Sequence, residues 1–144
     1  AASQAVGPGM AVRCFVFRED YSLFIDGRKY SLDEIDRIRI LGLGKASHAM
    51  TLPLVDLLSD LSPRGLLIPK QTPVQPLSGF GIQPGGHPVP DEDSLWAGEK
   101  ALELVSRLGE DDLLICLISG GGSALMTVPH AGVPGRPSPR RLSV

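Results

Sequence analysis

Leu113-Leu114-Ile115-Cys116-Leu117-Ile118-Ser119-Gly120-Gly121-Gly122-Ser123 is the stretch on which the fold turns. Leu113–Ile118 is an uninterrupted apolar run, too short for a buried helix, and it reads as a strand covered on both faces, as in a parallel sheet. Three glycines then force a tight turn at its carboxyl end. A matching unit lies upstream, where Ile38, Ile40 and Leu41 form a β-rich run that ends in Gly42-Leu43-Gly44-Lys45. A helix is predicted after it, because Met50, Leu54, Leu57, Leu58 and Leu61 recur at three and four residues. Pro53 falls inside that helix and should kink it, since it removes a backbone donor.

Gly65–Ile68 reads as the next buried strand, closed by Pro69. Residues 69–90 hold six prolines and four glycines, so they are expected to form an irregular crossing with at most a short strand near Phe80. The next helix has clear ends. Asp91 can cap it, Glu92 and Asp93 suit the positive end of its dipole, and Gly109 can terminate it. Its buried stripe is predicted as Leu95, Leu102, Val105 and Leu108, with Glu103 and Arg107 paired on the wet side. Upstream of the first unit, Val12–Phe17, Leu23–Ile25 and Lys29–Ser31 read as a small antiparallel meander. Its hairpin is Asp26-Gly27, a pair suited to the positive φ of a type I′ turn.

Strands alternating with helices imply right-handed βαβ crossovers and a mostly parallel sheet, hence an α/β fold with flanking helices. Ligands of such sheets bind beyond the carboxyl ends of the strands. Both glycine-rich turns, at 42–45 and 120–123, are expected at that edge.

Composition narrows the function. The 144 residues are 42% hydrophobic and carry a net charge of -2, which suits one folded domain and argues against a nucleic-acid-binding protein. The charge-free stretch from Leu113 to Pro129 has an apolar core of only Leu113–Ile118 before Gly120-Gly121-Gly122 intervenes, so it is too short and too broken to span a bilayer. No basic segment leads into an apolar one at the start of the sequence. The two cysteines, Cys14 and Cys116, lie in strand-like apolar runs and read as buried free thiols in a cytoplasmic setting. No cysteine–histidine cluster suggests a metal site.

The two glycine loops carry the chemistry. Gly120, Gly121 and Gly122 let backbone amides approach an anion, Ser123 offers a hydroxyl, and a following helix would add its positive end. A merely tight turn ordinarily needs a single glycine. Gly42-Leu43-Gly44-Lys45 is not a Walker A loop, because Ala46 follows Lys45, and the dinucleotide fingerprint fails at Ser47. Lys45 at a helix start is unfavourable on dipole grounds unless an anion joins it; a solvated lysine is the plain alternative. Gly121-Gly122-Ser123-Ala124-Leu125 nearly matches a hydrolase nucleophile elbow, with His48, His87 and His130 as conceivable bases, but Leu125 replaces the final glycine. His87 sits between Gly86 and Pro88 in a rigid loop beside Asp91, placed to donate to a hydroxyl or phosphate.

Leu41-Gly42-Leu43-Gly44-Lys45-Ala46-Ser47, Gly86-His87-Pro88-Val89-Pro90-Asp91 and the Asp111–Leu125 segment together resemble the MOFRL-type glycerate kinases, also called glycerate 2-kinases. The likeness runs in order from about Ala11 to Pro129. It implies a Rossmann-like domain and ATP-dependent phosphorylation of D-glycerate, with Mg²⁺, at a cleft between two domains. By the same resemblance Lys45 matches an active-site lysine, Gly42, Gly44, Gly120, Gly121, Gly122 and Ser123 belong to the nucleotide side, and His87 faces the substrate. Phosphoryl transfer is mostly positioning and charge neutralisation, so backbone amides and a lysine suit it.

Two departures accompany the likeness. Family members are roughly three times longer, and the residues their second half supplies are missing from this sequence. After Pro129 the match gives way to residues 130–144, which hold three arginines and no acid and read as a solvated, disordered basic tail. The expected organisation is therefore a flexible segment at 1–10, a partial kinase domain at 11–129 and the tail. The expected function is that of a truncated glycerate kinase, inactive alone. Its rivals are a non-catalytic module for phosphates or sugar phosphates, and a vestigial isoform.

Overall fold

A computed structural model describes residues 7–70, 75–83, 92–120, 122–127 and 142–143. The first element among the described residues is a helix, α1 (Pro8–Phe15), where the sequence suggests a strand from Val12. Pro8 has its φ preset for a first helical turn. Packing then overrides the β preference of the following residues: Gly9 lies close against α2 (Ser47–Leu57), where a Cβ would meet Ala49 O at 3.2 Å and Pro53 Cγ at 3.5 Å. This contact also answers the objection to Pro53. The helix runs on to Leu57, and the carbonyl of Ala49, whose usual i+4 donor Pro53 lacks, rests against Gly9.

The meander follows as β1 (Val16–Glu19), β2 (Ser22–Ile25) and β3 (Arg28–Ser31), all antiparallel. Its second turn is the one foreseen, with φ of 49° at Asp26 and 79° at Gly27. Leu23, Ile25 and Tyr30 point into the core, while Phe17 and Phe24 stack on the outer side at 4.6 Å. Arg18 ties the meander to the rest. Its guanidinium pairs with Asp60 and donates to Leu57 O, so it satisfies a carbonyl at the end of α2.

Among the described residues the main sheet has six strands in the order β6-β5-β4-β7-β8-β9, from β4 (Ile38–Leu43), β5 (Arg64–Ile68), β6 (Phe80–Ile82), β7 (Leu113–Gly120), β8 (Gly122–Thr127) and β9 (Leu142–Ser143). β6, β5, β4 and β7 are mutually parallel, which makes the sheet mostly parallel with helices on its faces. Period-two alternation divides it between two cores. Ile38, Ile40, Leu113, Ile115 and Leu117 pack with Met50, Leu54 and Leu58 and with the meander. Leu41, Leu66, Leu114 and Cys116 pack with α3 (Glu92–Ser106).

Three further expectations are corrected. The inner stripe of α3 is Ala97, Ala101, Leu104 and Val105, continued by Leu108 beyond its end; Leu95 and Leu102 are exposed. Small residues let this helix lie close to the sheet, which a reading based on large side chains overlooks. Cys14 is exposed on α1, whereas Cys116 is buried and its thiol is pushed up to about 11 by that burial. The triple glycine leads into β8, antiparallel to β7 with Ser119 opposite Ser123, and not into a helix.

Asp112 closes the amino end of β7. Its carboxylate, 2% exposed, takes Arg37 Nη2 at 2.8 Å and Gly109 N at 2.7 Å. Burial pushes the carboxyl upward, but these hydrogen bonds outweigh it and hold it below the ordinary range. A depressed carboxylate contributes stability above its unfolded value of about 3.9, and that contribution disappears as pH falls through the lower folded value. Urea midpoints are therefore expected to decline below about pH 4, and Asp112→Asn should flatten the decline. An unchanged acid limb in the variant would assign it to other carboxylates.

Candidate functional site

The chain leaves β4 through α2 to reach β5 on one side, then returns through α3 to β7 on the other. The helices lie on opposite faces of the sheet, so the crevice between the carboxyl ends of β4 and β7 is a topological switch point, where sheets of this kind bind ligands. Leu43 and Ile118 form the last register pair of β4 with β7, and beyond them the two glycine-bearing segments meet.

The meeting is tight. Gly44 has φ of 101°, and a Cβ there would lie 2.0 Å from Ser119 O. Ala46 N donates to Ser119 Oγ at 2.9 Å, and Ser119 Oγ donates to Leu43 O at 3.3 Å. On the other side Gly44 N donates to Ile68 O at 2.9 Å, and Ser47 N bonds back to Gly44 O. Gly42 is buried where α2 seats on β4; a Cβ there would meet Leu67 Cδ2 at 2.8 Å. The loop is thus sewn to both neighbouring strands, with Lys45 between the anchored residues Gly44 and Ala46.

Lys45 itself is exposed at the entrance to α2. It makes no ion pair among the described residues. The first turn of α2 carries no acid and no side-chain cap to balance its positive end. In that turn Ser47 Oγ and His48 Nε2 are buried with no hydrogen-bond partner among the described residues. An exposed cation beside a helix start without an acid, and two orphaned polar atoms, suit a bound anion.

The model of a family described as a domain of unknown function, DUF4147, matches residues 1–136. The chain belongs to the DUF4147 family. This DUF4147 chain is 36% identical over 100 residues to the D-glycerate 2-kinase of Thermotoga maritima, covering 69% of this chain and 24% of that protein. It is 32% identical over 132 residues to the glycerate 2-kinase of Pyrococcus horikoshii, covering 92% of this chain and 29% of the relative. A protein of Agrobacterium vitis, provisionally named a hydroxypyruvate reductase, is 40% identical over 97 residues, with 67% and 25% covered. Among solved structures, one from Pyrococcus horikoshii matches with a TM-score of 0.72 at 29% identity, over 81% of this chain and 26% of that one. The chain spans about a quarter of the length of these relatives. The likeness to glycerate kinases read from three motifs thus extends to whole-segment identity with proteins of that name.

Within the DUF4147 domain the residues expected at the site divide three ways. Gly42, Gly44 and Lys45 stand at the end of β4, beside Gly120 at the end of β7. Gly122 and Ser123 continue into β8, which removes the helix dipole expected there and the strand-to-helix turn a nucleophile elbow needs. His87, Gly121 and Asp91 lie outside the described residues, as does most of the tail at 130–144. Among the described residues no three metal-ligating side chains converge, and no helix is long and apolar enough to cross a membrane.

The residue that sequence reading passed over is Ser119. Alternation along β7 was the available signal, since Leu113, Ile115 and Leu117 all face α2 and Ser119 is next in that series. Ser119→Ala is expected to remove the link from β7 to Ala46 N and to lower stability by about 1–2 kcal/mol. Chemical denaturation measures this, and a loss near zero would mean that water replaces the hydroxyl.

Proposed function

We propose that the crevice between β4 and β7 is the phosphate side of an ATP-dependent glycerate kinase site. The observation that carries the reading is the Gly44–Ser119 junction, which fixes Lys45 at the switch point of a chain homologous to proteins named glycerate kinases. ATP with Mg²⁺ supplies the phosphoryl group when bound. Lys45 Nζ then neutralises charge on the phosphate oxygens, and the positive end of α2 adds to it. Gly42 and Gly44 serve by letting the loop lie against β5, α2 and β7. Amides of Gly120, Gly121 and Gly122, with the Ser123 hydroxyl, orient the nucleotide phosphates, and His87 donates to D-glycerate. The two free cysteines, one of them exposed, support a reducing, cytoplasmic setting.

With about a quarter of a relative's length, this chain is proposed to bind without turning over. A coupled ATP–glycerate assay with parallel thermal melts tests it: a shift with ATP–Mg²⁺ and no turnover is expected. Robust turnover would show the further residues of the relatives to be dispensable. A shift with sugar phosphates but none with ATP would favour a non-catalytic module. The reductase name of one relative motivates a second reading, hydride transfer to hydroxypyruvate. NADH oxidation in the presence of hydroxypyruvate would reveal it, although the Gly42–Ser47 turn lacks a dinucleotide fingerprint.

A further inference from the structure

A second cavity, of about 330 Å³, opens at the other end of the sheet, on the α3 face. Its charged wall consists of Arg37, Arg39, Lys100 and Arg107 against a single acid, Glu103. In a chain of net charge -2 such a concentration of cations needs a cause. Three of them have one. Arg37 forms a bidentate pair with Asp112, at 2.8 and 3.2 Å, and also donates to Arg107 O at the end of α3. Lys100 and Arg107 both reach Glu103, at 3.8 and 2.6 Å.

Arg39 has no such cause. It is half-buried in β4, and among the described residues its Nη1 donates only to the carbonyl of its neighbour Ile38, at 3.0 Å. No carboxylate pairs with it among the described residues. Its partner in register on β5 is Arg64, and like charges directly opposite one another weaken a sheet. Burial first, then the charge of Arg37 and, less, that of Arg64 hold the Arg39 guanidinium below its usual range, against the smaller opposing pull of Asp112 and Asp36. Beyond Arg39 and Arg64 this sheet face continues through the apolar Leu41, Leu66 and Leu114. An apolar residue would serve the fold better at this position, so the arginine points to a ligand.

We propose that this cavity binds a small phosphorylated organic molecule. Its phosphate is held by Arg39 and the neighbouring cations, and its carbon skeleton lies against Leu66, Leu104 and Leu108. A guanidinium offers paired donors to phosphate oxygens, and the cavity has the volume of a small-molecule site. Arg39 and Gly44 are about 16 Å apart along β4 at the usual strand rise, so the cavity is separate from the β4–β7 crevice and does not depend on the kinase reading.

Amide NMR of the whole chain titrated with phenyl phosphate, and separately with inorganic phosphate, tests the proposal. Phenyl phosphate is expected to shift residues 39, 66, 104 and 108 saturably. Arg39→Gln should weaken its binding about tenfold, the loss of a charge-assisted hydrogen bond. Without ligand, Arg39→Gln should melt no lower than the parent, because a like-charge contact and a buried charge are removed. A lower ligand-free Tm would make Arg39 structural and overturn the proposal. So would unchanged binding, shifts centred on Lys45, or equal affinity for inorganic phosphate. Should Arg39→Gln not fold, Lys100→Gln on the exposed side of α3 carries the same comparison, and binding unaffected by it would also overturn the site.

Discussion

Gly44→Ala is expected to cost this domain about 3–5 kcal/mol, a large part of the about 5–15 kcal/mol that holds a typical domain together. Two penalties combine. The φ of 101° is one that a residue with a Cβ adopts only under strain, worth about 1–3 kcal/mol. The added carbon would also lie 2.0 Å from the main-chain oxygen of Ser119, and backbone at the end of a ladder cannot move aside without opening β4 from β7. Gly27→Ala is the matched control, since Gly27 also has positive φ, at 79°, but has nothing within 4 Å of the new carbon. Its loss should stay near about 1 kcal/mol. Urea melts of the two variants decide the matter: equal losses would show that the approach of Ser119 is not what requires glycine at position 44.

The lysine corresponding to Lys45 in a full-length relative is expected, when changed to alanine, to lose about 10²–10³-fold in kcat, the scale for removing one preorganised charge from a transferring group. Because Lys45 is exposed and unpaired among the described residues, the same change should leave stability within about 0.5 kcal/mol. Steady-state kinetics beside a thermal melt separate the two effects. Unchanged kcat would remove the lysine from the mechanism, and a large stability loss would make it a structural residue of the α2 entrance.

The sheet was legible because its strands announce themselves. Leu113–Ile118 is apolar on both faces and Ile38–Leu43 is so except at Arg39, which fits strands covered by helices, and the Asp26-Gly27 pair fixed a hairpin locally. The helix at Pro8–Phe15 was not legible, since its stability comes from packing Val12 against α2 and not from its own preferences. Likewise, Ala97 and Ala101 disclose the inner face of α3 only once the sheet is in place. Of the site, Lys45 and the glycines could be read from sequence, but the roles of the glycines could not. Gly42 and Gly44 are small because Leu67, Ser47 and Ser119 occupy the adjoining space.

By itself, then, the sequence determined an α/β fold, two glycine-rich turns at strand ends and a likeness to glycerate kinases. Each rests on patterns within a few residues: alternation, helical spacing, turn pairs and short motifs. Only the tertiary structure decided that β4 and β7 are neighbours, that Ser119 joins them, and that Arg39 faces Arg64 across the ladder. Those contacts join residues far apart in the chain. Their energies depend on which strand lies beside which, and no local pattern encodes that order.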